Sequence, residues 1–306
     1  MKSLVTIQSA ALVALSSAAF AEPFAGVMDI EIDAPHHGRS MSGAVWYPAQ
    51  QIGQPEVYDE NAVFYGTEVL RDAPLSPGTY PVVVLSHGLG GNIRSTMWLS
   101  AALAAKGALV INVNHPNSST WDMNFQAGLE HGTRARDLSV ALDWLQTSEF
   151  AGAMSDEITA AGFSYGGWTA LSLGGLRGNH EGYVQSCRQA DGRSTHCADI
   201  ENAGVDLASL DVEAWNAAYR DARVTGVIAV DPGLHWGLTS NEAAALAVPA
   251  MMIGLGEGQD RLFATDFSVA TGSGFGALVP DAEQVLIAPA RHFSMLPLAS
   301  PRVKQS

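Results

Sequence analysis

Basic residues are scarce in this chain. Lysine and arginine together number 16 against 31 aspartates and glutamates, for a formal net charge of −15. A surface this acidic is repelled by phosphate backbones and by anionic bilayers, which excludes nucleic acid as a partner. Cysteine is scarcer still, with Cys187 and Cys197 alone among 306 residues. There is no Cys-x-x-Cys spacing, so His180 and His196 near the cysteines do not make a zinc site. No internal repeat or low-complexity tract is present, which excludes solenoid and fibrous architectures. Beyond the N-terminus, no apolar run is long enough to span a bilayer, so no stable membrane anchor is expected.

The N-terminus reads as a secretory signal peptide over residues 1–21. Lys2 supplies the charge, residues 4–20 are apolar or small, and Ala19-Phe20-Ala21 fits the small-x-small cleavage rule. Thr6, Gln8, Ser9, Ser16 and Ser17 interrupt the run and argue against a permanent anchor. The mature chain then starts at Glu22, in the periplasm or outside the cell, and residues 22–306 make one domain of ordinary size. In that oxidising setting Cys187 and Cys197 are expected to bond to each other.

Apolar and polar residues alternate over residues 27–33, which predicts an early strand with one exposed face, and residues 41–47 predict its neighbour, stopped by Pro48. Residues 49–80 carry turn formers without a period and read as a surface excursion. Pro81-Val82-Val83-Val84-Leu85-Ser86 is a continuous apolar run, the pattern of a central parallel strand. A helix follows through Leu99, Ala102 and Leu103 to Gly107, and then a buried strand over residues 108–113. Leu138, Ala141, Leu142 and Leu145 fall on one face of a helix. Residues 224–230, 249–254 and 283–287 read as further strands. Strands alternating with helices predict an α/β fold with a mostly parallel sheet covered on both faces. Residues 176–222 break this rhythm. They are polar, hold both cysteines and are weakly helical only at residues 214–219, and they read as an insertion that is a candidate cap.

The chemistry centres on Gly162-Phe163-Ser164-Tyr165-Gly166-Gly167. Ile158-Thr159-Ala160-Ala161 before it suits a buried strand, and Trp168-Thr169-Ala170-Leu171-Ser172-Leu173 after it suits a helix. A serine between two glycines at a strand-to-helix turn is the nucleophile elbow of the α/β-hydrolase type. A serine hydroxyl needs a base, and the base needs a group that fixes its tautomer. In this fold the order along the chain is Ser, acid, His. Among His180, His196, His235 and His292, only His292 follows a final strand near the C-terminus. The acid has candidates at two strand ends, Asp231 and Asp260, with Glu257 close to the latter, and composition does not choose between them. His87-Gly88-Leu89-Gly90-Gly91 can turn the Leu89 N–H toward the elbow, where it joins that of Tyr165 as an oxyanion hole.

These motifs carry a resemblance. The chain resembles the plasma-type platelet-activating-factor acetylhydrolases and the bacterial dienelactone-hydrolase-like predicted hydrolases over roughly residues 80–300. The resemblance rests on Ser86-His87-Gly88-Leu89-Gly90, Val113-Asn114-His115, the elbow, Gly226-Val227-Ile228-Ala229-Val230-Asp231 and His292-Phe293. It implies Asp231 rather than Asp260 as the acid, with Leu89 and Tyr165 as oxyanion donors. Two departures stand out. Dienelactone hydrolases use cysteine where this chain has Ser164, and no lipoprotein-binding surface is visible.

The expectation is therefore an exported serine carboxylesterase for short to medium acyl esters. Its catalytic residues are Ser164, Asp231 and His292, its partner is a small-molecule or lipid-like ester, and it needs no cofactor or metal. Trp98, Trp121, Trp168, Trp236 and Phe293 are candidate pocket walls. The alternatives are a secreted lipase or polyester hydrolase of cutinase type, and a non-catalytic binding protein on the same scaffold.

Overall fold

The computed structural model describes residues 23–299, so the segment read as a signal peptide lies outside the described residues. The alternating stretch forms β1 (Ala25–Ala34), which buries Ile30 and Ile32 and exposes Asp29, Glu31 and Asp33. A 3₁₀ turn at Pro35–His37, closed by Gly38 at φ 65°, joins it to antiparallel β2 (Arg39–Pro48).

Residues 49–80 are more ordered than their sequence suggests. They contain β3 (Glu56–Tyr58) and β4 (Thr67–Arg71), which extend the sheet at its edge. Strands of three and five residues are too short to show a period, and what fixes them is burial of Tyr58, Val69 and Leu70 against the rest of the fold.

β5 (Tyr80–Ser86) is followed by α1 (Met97–Ala105) and the fully buried β6 (Leu109–Val113). A small ribbon, β7 (Ser118–Ser119) and β8 (Asp122–Met123), precedes α2 (Phe125–Gly128) and α3 (His131–Thr147). Then come β9 (Met154–Phe163) and α4 (Tyr165–Leu173), every residue of which is buried. The segment read as an insertion contains α5 (His180–Gln189), α6 (Thr195–Asn202) and α7 (Val212–Asn216). It is more helical than its polar composition indicated, because Asn179, Ser194 and Asp211 each cap a helix start through their side chains. Cys187 and Cys197 are disulfide-bonded across α5 and α6. The chain closes with β10 (Gly226–Val230), α8 (Ser240–Ala243), β11 (Ala250–Leu255), α9 (Phe275–Leu278), β12 (Glu283–Ile287) and a 3₁₀ turn at His292–Met295.

Apart from β7 and β8, which pair with each other, the strands make one sheet in the order β12-β11-β10-β9-β5-β6-β2-β1-β4-β3. From β12 to β6 all pairings are parallel, and β2 is antiparallel to both of its neighbours. On one face, Leu138, Leu142 and Leu145 of α3 pack with Val82, Val84 and Ile111. On the other, Met97, Ala101 and Ala104 of α1 pack with Trp46, Leu85 and Val110. Each fully buried leucine contributes roughly 1.5–3 kcal/mol, so these two layers fix the carboxyl edge of the parallel strands on which the site is built. No helix among the described residues is long and apolar enough to cross a membrane.

Candidate active site

β9 ends in a turn so tight that two of its glycines admit no side chain. A Cβ on Gly162 would stand 2.1 Å from the carbonyl oxygen of Gly166, and one on Gly166 would stand 2.1 Å from that of Ser86. Between them Ser164 is held at φ 58°, ψ −119°, a left-handed conformation that a non-glycine residue adopts only under constraint. The constraint comes from both sides. The Ser164 N–H donates to the carbonyl of Val230 at 2.9 Å, and the Ser164 carbonyl accepts from the N–H groups of Gly167 and Gly233. The hydroxyl is thereby lifted off the sheet above the first turn of α4.

His292 comes to this hydroxyl from the turn after β12. Its Nε2 lies 3.0 Å from Ser164 Oγ, and its Nδ1 lies 2.7 Å from Asp231 Oδ2. A carboxylate only accepts, so Nδ1 carries the proton and Nε2 is left to receive that of the serine. The imidazole lies tilted by 36° against the ring of Phe163 with centroids 4.6 Å apart, and Trp98 Nε1 donates to the carbonyl of Met295, which pins the turn that carries it.

Asp231 follows β10 and is completely buried. Besides His292 it accepts from the Leu255 N–H at 2.9 Å, from Thr265 Oγ1 at 3.1 Å and from Arg261 Nη1. Asp260 and Glu257 are exposed on the turn after β11. The Asp260 carboxylate faces Arg291 at 2.7 Å rather than His292.

The glycine loop after β5 lies over the elbow, so close that a Cβ on Gly88 would come 3.3 Å from Ser164 Cβ. Gly90 N–H donates to Ser118, Gly91 N–H donates to the Gly88 carbonyl, and Thr120 Oγ1 holds the carbonyl of Gly90. Among the described residues, no acceptor takes the N–H of Leu89 or of Tyr165. Both are therefore available to a ligand beside Ser164.

Sequence reasoning missed what lies under this loop. Arg134 is buried on the inner face of α3 and donates to Ser118 Oγ at 2.6 Å, to Ser86 Oγ at 3.1 Å, to Thr169 Oγ1 at 3.2 Å and to the carbonyl of His87. Its guanidinium lies over the Tyr165 ring. Burial lowers its pKa to about 10, which still leaves it cationic at neutral pH. One turn on, Asp137 receives His115 Nδ1 at 2.8 Å, and His115 Nε2 in turn accepts from Ser86 Oγ at 2.9 Å. Burial alone would push the Asp137 carboxyl up. Hydrogen bonds from His115, His36 and His37 more than offset this and hold it well below the usual carboxylate range. The available signal was charged residues on a helix face that otherwise reads as core.

A groove of about 850 Å³ opens above Ser164 and His292. Its apolar wall includes Phe64, Leu89, Trp121, Phe125 and Phe293, and α6 contributes Thr195, His196 and Asp199. Of the tryptophans considered as walls, Trp121 lines the groove, whereas Trp168 is completely buried in the core. Trp98 and Trp236 instead spend their ring N–H groups on the carbonyls of Met295 and Phe263.

The fold has a counterpart among solved structures. The ferulic acid esterase from Streptomyces cinnamoneus aligns with a TM-score of 0.56 at 19% identity, over 89% of this chain and 74% of that one. The chain has the α/β-hydrolase fold. Residues 62–159 also match the family described as platelet-activating factor acetylhydrolase, isoform II. That match takes in the glycine loop, His115, Arg134 and Asp137 and stops short of Ser164. No curated protein matches the chain.

Proposed function

We propose that this α/β-hydrolase is an exported serine carboxylic ester hydrolase acting through an acyl-enzyme. The observation that carries this reading is the hydrogen-bonded run from Ser164 through His292 to Asp231 beneath the groove. Ser164 Oγ attacks the ester carbonyl carbon as its proton passes to His292 Nε2. The negative charge that develops on the carbonyl oxygen is met by the N–H groups of Leu89 and Tyr165, and each such donor is worth about 10²–10³ in kcat. The tetrahedral intermediate collapses, and the leaving alcohol takes the proton from His292. Water, deprotonated by the same imidazole, then attacks the acyl carbon and frees the acid and Ser164. Asp231 stabilises the imidazolium formed in each half-reaction.

The words acetylhydrolase and esterase in the names of the matched family and structure agree with an ester substrate. The wall contributed by α6 favours short to medium acyl groups over an open polymer surface. The secretory reading of residues 1–21 and the disulfide support export together.

A fluorophosphonate probe on the purified protein, followed by peptide mapping, tests the mechanism, and a graded series of p-nitrophenyl esters tests the substrate range. Labelling at Ser164 with turnover of the shorter esters is expected. A folded protein that neither labels nor turns over any ester is a binding protein on this scaffold, and the proposal then fails.

A further inference from the structure

Outside the lining of the groove, two neighbouring histidines turn onto one carboxylate oxygen of α3. His36 Nε2 lies 2.7 Å and His37 Nε2 2.8 Å from Asp137 Oδ1. The three donor atoms all fall within 4.8 Å of one another. Consecutive residues on a helical turn ordinarily point apart. Here both imidazoles leave the tip of the β1–β2 hairpin and converge, with ring centroids 4.3 Å apart.

The carboxylate they meet is fully buried, and its other oxygen is already committed to His115 Nδ1–H. A carboxylate oriented by an imidazole N–H, with two further imidazole nitrogens at its free oxygen, has the composition of a transition-metal site. Nitrogen and oxygen donors are in place, and an outer partner sets the direction of the carboxylate.

We propose that His36, His37 and Asp137 form a binding site for a divalent transition-metal ion of the zinc type, separate from the groove and structural in role. Two neutral imidazoles and one carboxylate suit such an ion, whereas calcium and magnesium prefer sets made of oxygen. Donor atoms around a tetrahedral ion with bonds of about 2.0–2.1 Å stand about 3.3 Å apart. The imidazoles must therefore withdraw from Oδ1 by about half an ångström. They sit on a three-residue turn at a hairpin tip, where such a movement disturbs no core packing. Entry is from the His36 side, where the side chain is 14% exposed against 4% for His37 and 0% for Asp137.

The site joins segments distant in sequence. An ion there would tie the β1–β2 hairpin to α3, and through Asp137 and His115 to Ser86, the last residue of β5. It would act on stability, through binding to the folded chain alone.

The test uses tag-free protein stripped with a chelator and then dialysed. Titration with Zn²⁺ alone, followed by calorimetry and by elemental analysis after gel filtration, should give one equivalent and a raised Tm. Neither Ca²⁺ nor Mg²⁺ at the same concentration should displace it. The comparison is the double variant His36→Gln, His37→Gln. Glutamine keeps an amide N–H for the Asp137 carboxylate but is a poor ligand, so the chelated variant should melt within a few degrees of chelated wild type. Zn²⁺ affinity should fall at least tenfold and the zinc-dependent rise in Tm should vanish. If the double variant does not fold, His36→Gln, at the more exposed ligand, is read in the same way. Wild type that takes up no stoichiometric zinc, or variants that bind it as tightly as wild type, would overturn the proposal. These outcomes are read without ester turnover, so they stand apart from the reading of the groove.

Discussion

Arg261 lies against the oxygen of Asp231 that His292 does not use, so the acid beside the histidine is also one half of a buried ion pair. The guanidinium is 9% exposed and the carboxylate 0%. Arg261 is itself anchored by the carbonyls of Thr265 and Leu255. Removing one partner of such a pair strands a buried charge, which typically costs about 3–5 kcal/mol. Arg261→Met should lower stability by that order in urea denaturation. It should also lower kcat for a p-nitrophenyl ester, because the carboxylate loses one of the donors that aim it at His292. A loss below 1 kcal/mol would mean that water or Thr265 replaces the guanidinium without penalty.

The two aspartates separate cleanly in the same assays. Asp231→Asn keeps the shape but loses the charge and favours the wrong imidazole tautomer, a change that costs about 10⁴ in kcat in the serine-protease precedent. Because Arg261 is left with Asp266, 3.6 Å from its Nε, as its one carboxylate partner among the described residues, this variant should also be measurably less stable than wild type. Asp260→Asn removes only an exposed pair with Arg291, whose side chain is 75% exposed. Such pairs are worth about 0–1 kcal/mol, so activity should stay within about tenfold of wild type. Inactivation by Asp260→Asn with activity kept in Asp231→Asn would reverse the assignment of the acid.

Ser164 offers a test through strain. Ser164→Ala should abolish hydrolysis and fluorophosphonate labelling while the protein still folds, since among the described residues the hydroxyl bonds only to His292. Ser164→Gly should be equally inactive yet more stable than Ser164→Ala by about 1 kcal/mol, because glycine adopts φ 58° without penalty. Thermal melts of the two variants decide it. Equal stability would show that the elbow holds no strain at this residue.

The sequence was most legible where chemistry and local geometry coincide. Gly162 and Gly166 announce a turn that excludes side chains, and the apolar runs at residues 81–86 and 108–113 announce buried strands. The choice of Asp231 over Asp260 was not legible from the residues alone, because both follow strands. It required the resemblance, and the structure then places Asp231 beside His292. Arg261, Arg134 and Asp137 escaped notice because their partners are distant in sequence. A charged residue on a helix or turn looks solvated until the fold brings its counter-charge to it. Helices α5 and α6 escaped because capping by Asn179 and Ser194 compensates for a polar composition.

The disulfide should matter locally. Cys187 and Cys197 are separated by ten positions, and closing so short a loop is worth about 2–3 kcal/mol in the unfolded-chain account. Cys197 sits in α6, whose Thr195, His196 and Asp199 line the groove. The double variant Cys187→Ser, Cys197→Ser should therefore raise KM for the preferred ester more than it lowers kcat, with a loss of stability within that range. An unchanged KM would show that α6 holds its place without the bond.

Stability should fall on mild acidification, well before ordinary carboxylates titrate. His131, His196 and His235 lie outside the Ser164–His292–Asp231 run, and burial lowers each from the ordinary 6.5 to about 4. His131 shows why. Its Nε2–H donates to the carbonyl of Trp215, while Nδ1 has no partner among the described residues and the ring is enclosed by Trp168, Trp215 and Tyr219. A second proton there would be buried without an acceptor. Between about pH 4 and 6.5 the unfolded chain holds protons on these histidines that the folded chain does not, so stability rises with pH across that window. Their contribution is complete above about pH 6.5 and is lost as the pH falls toward 4. Each histidine adds a slope of at most about 1.4 kcal/mol per pH unit. Urea midpoints measured from pH 7.5 to 5 should drop steadily below about pH 6.5, and His131→Gln should flatten the curve by up to one histidine's share. A midpoint that stays level from pH 7 to 5 would mean that the folded protein protonates these rings as easily as water does.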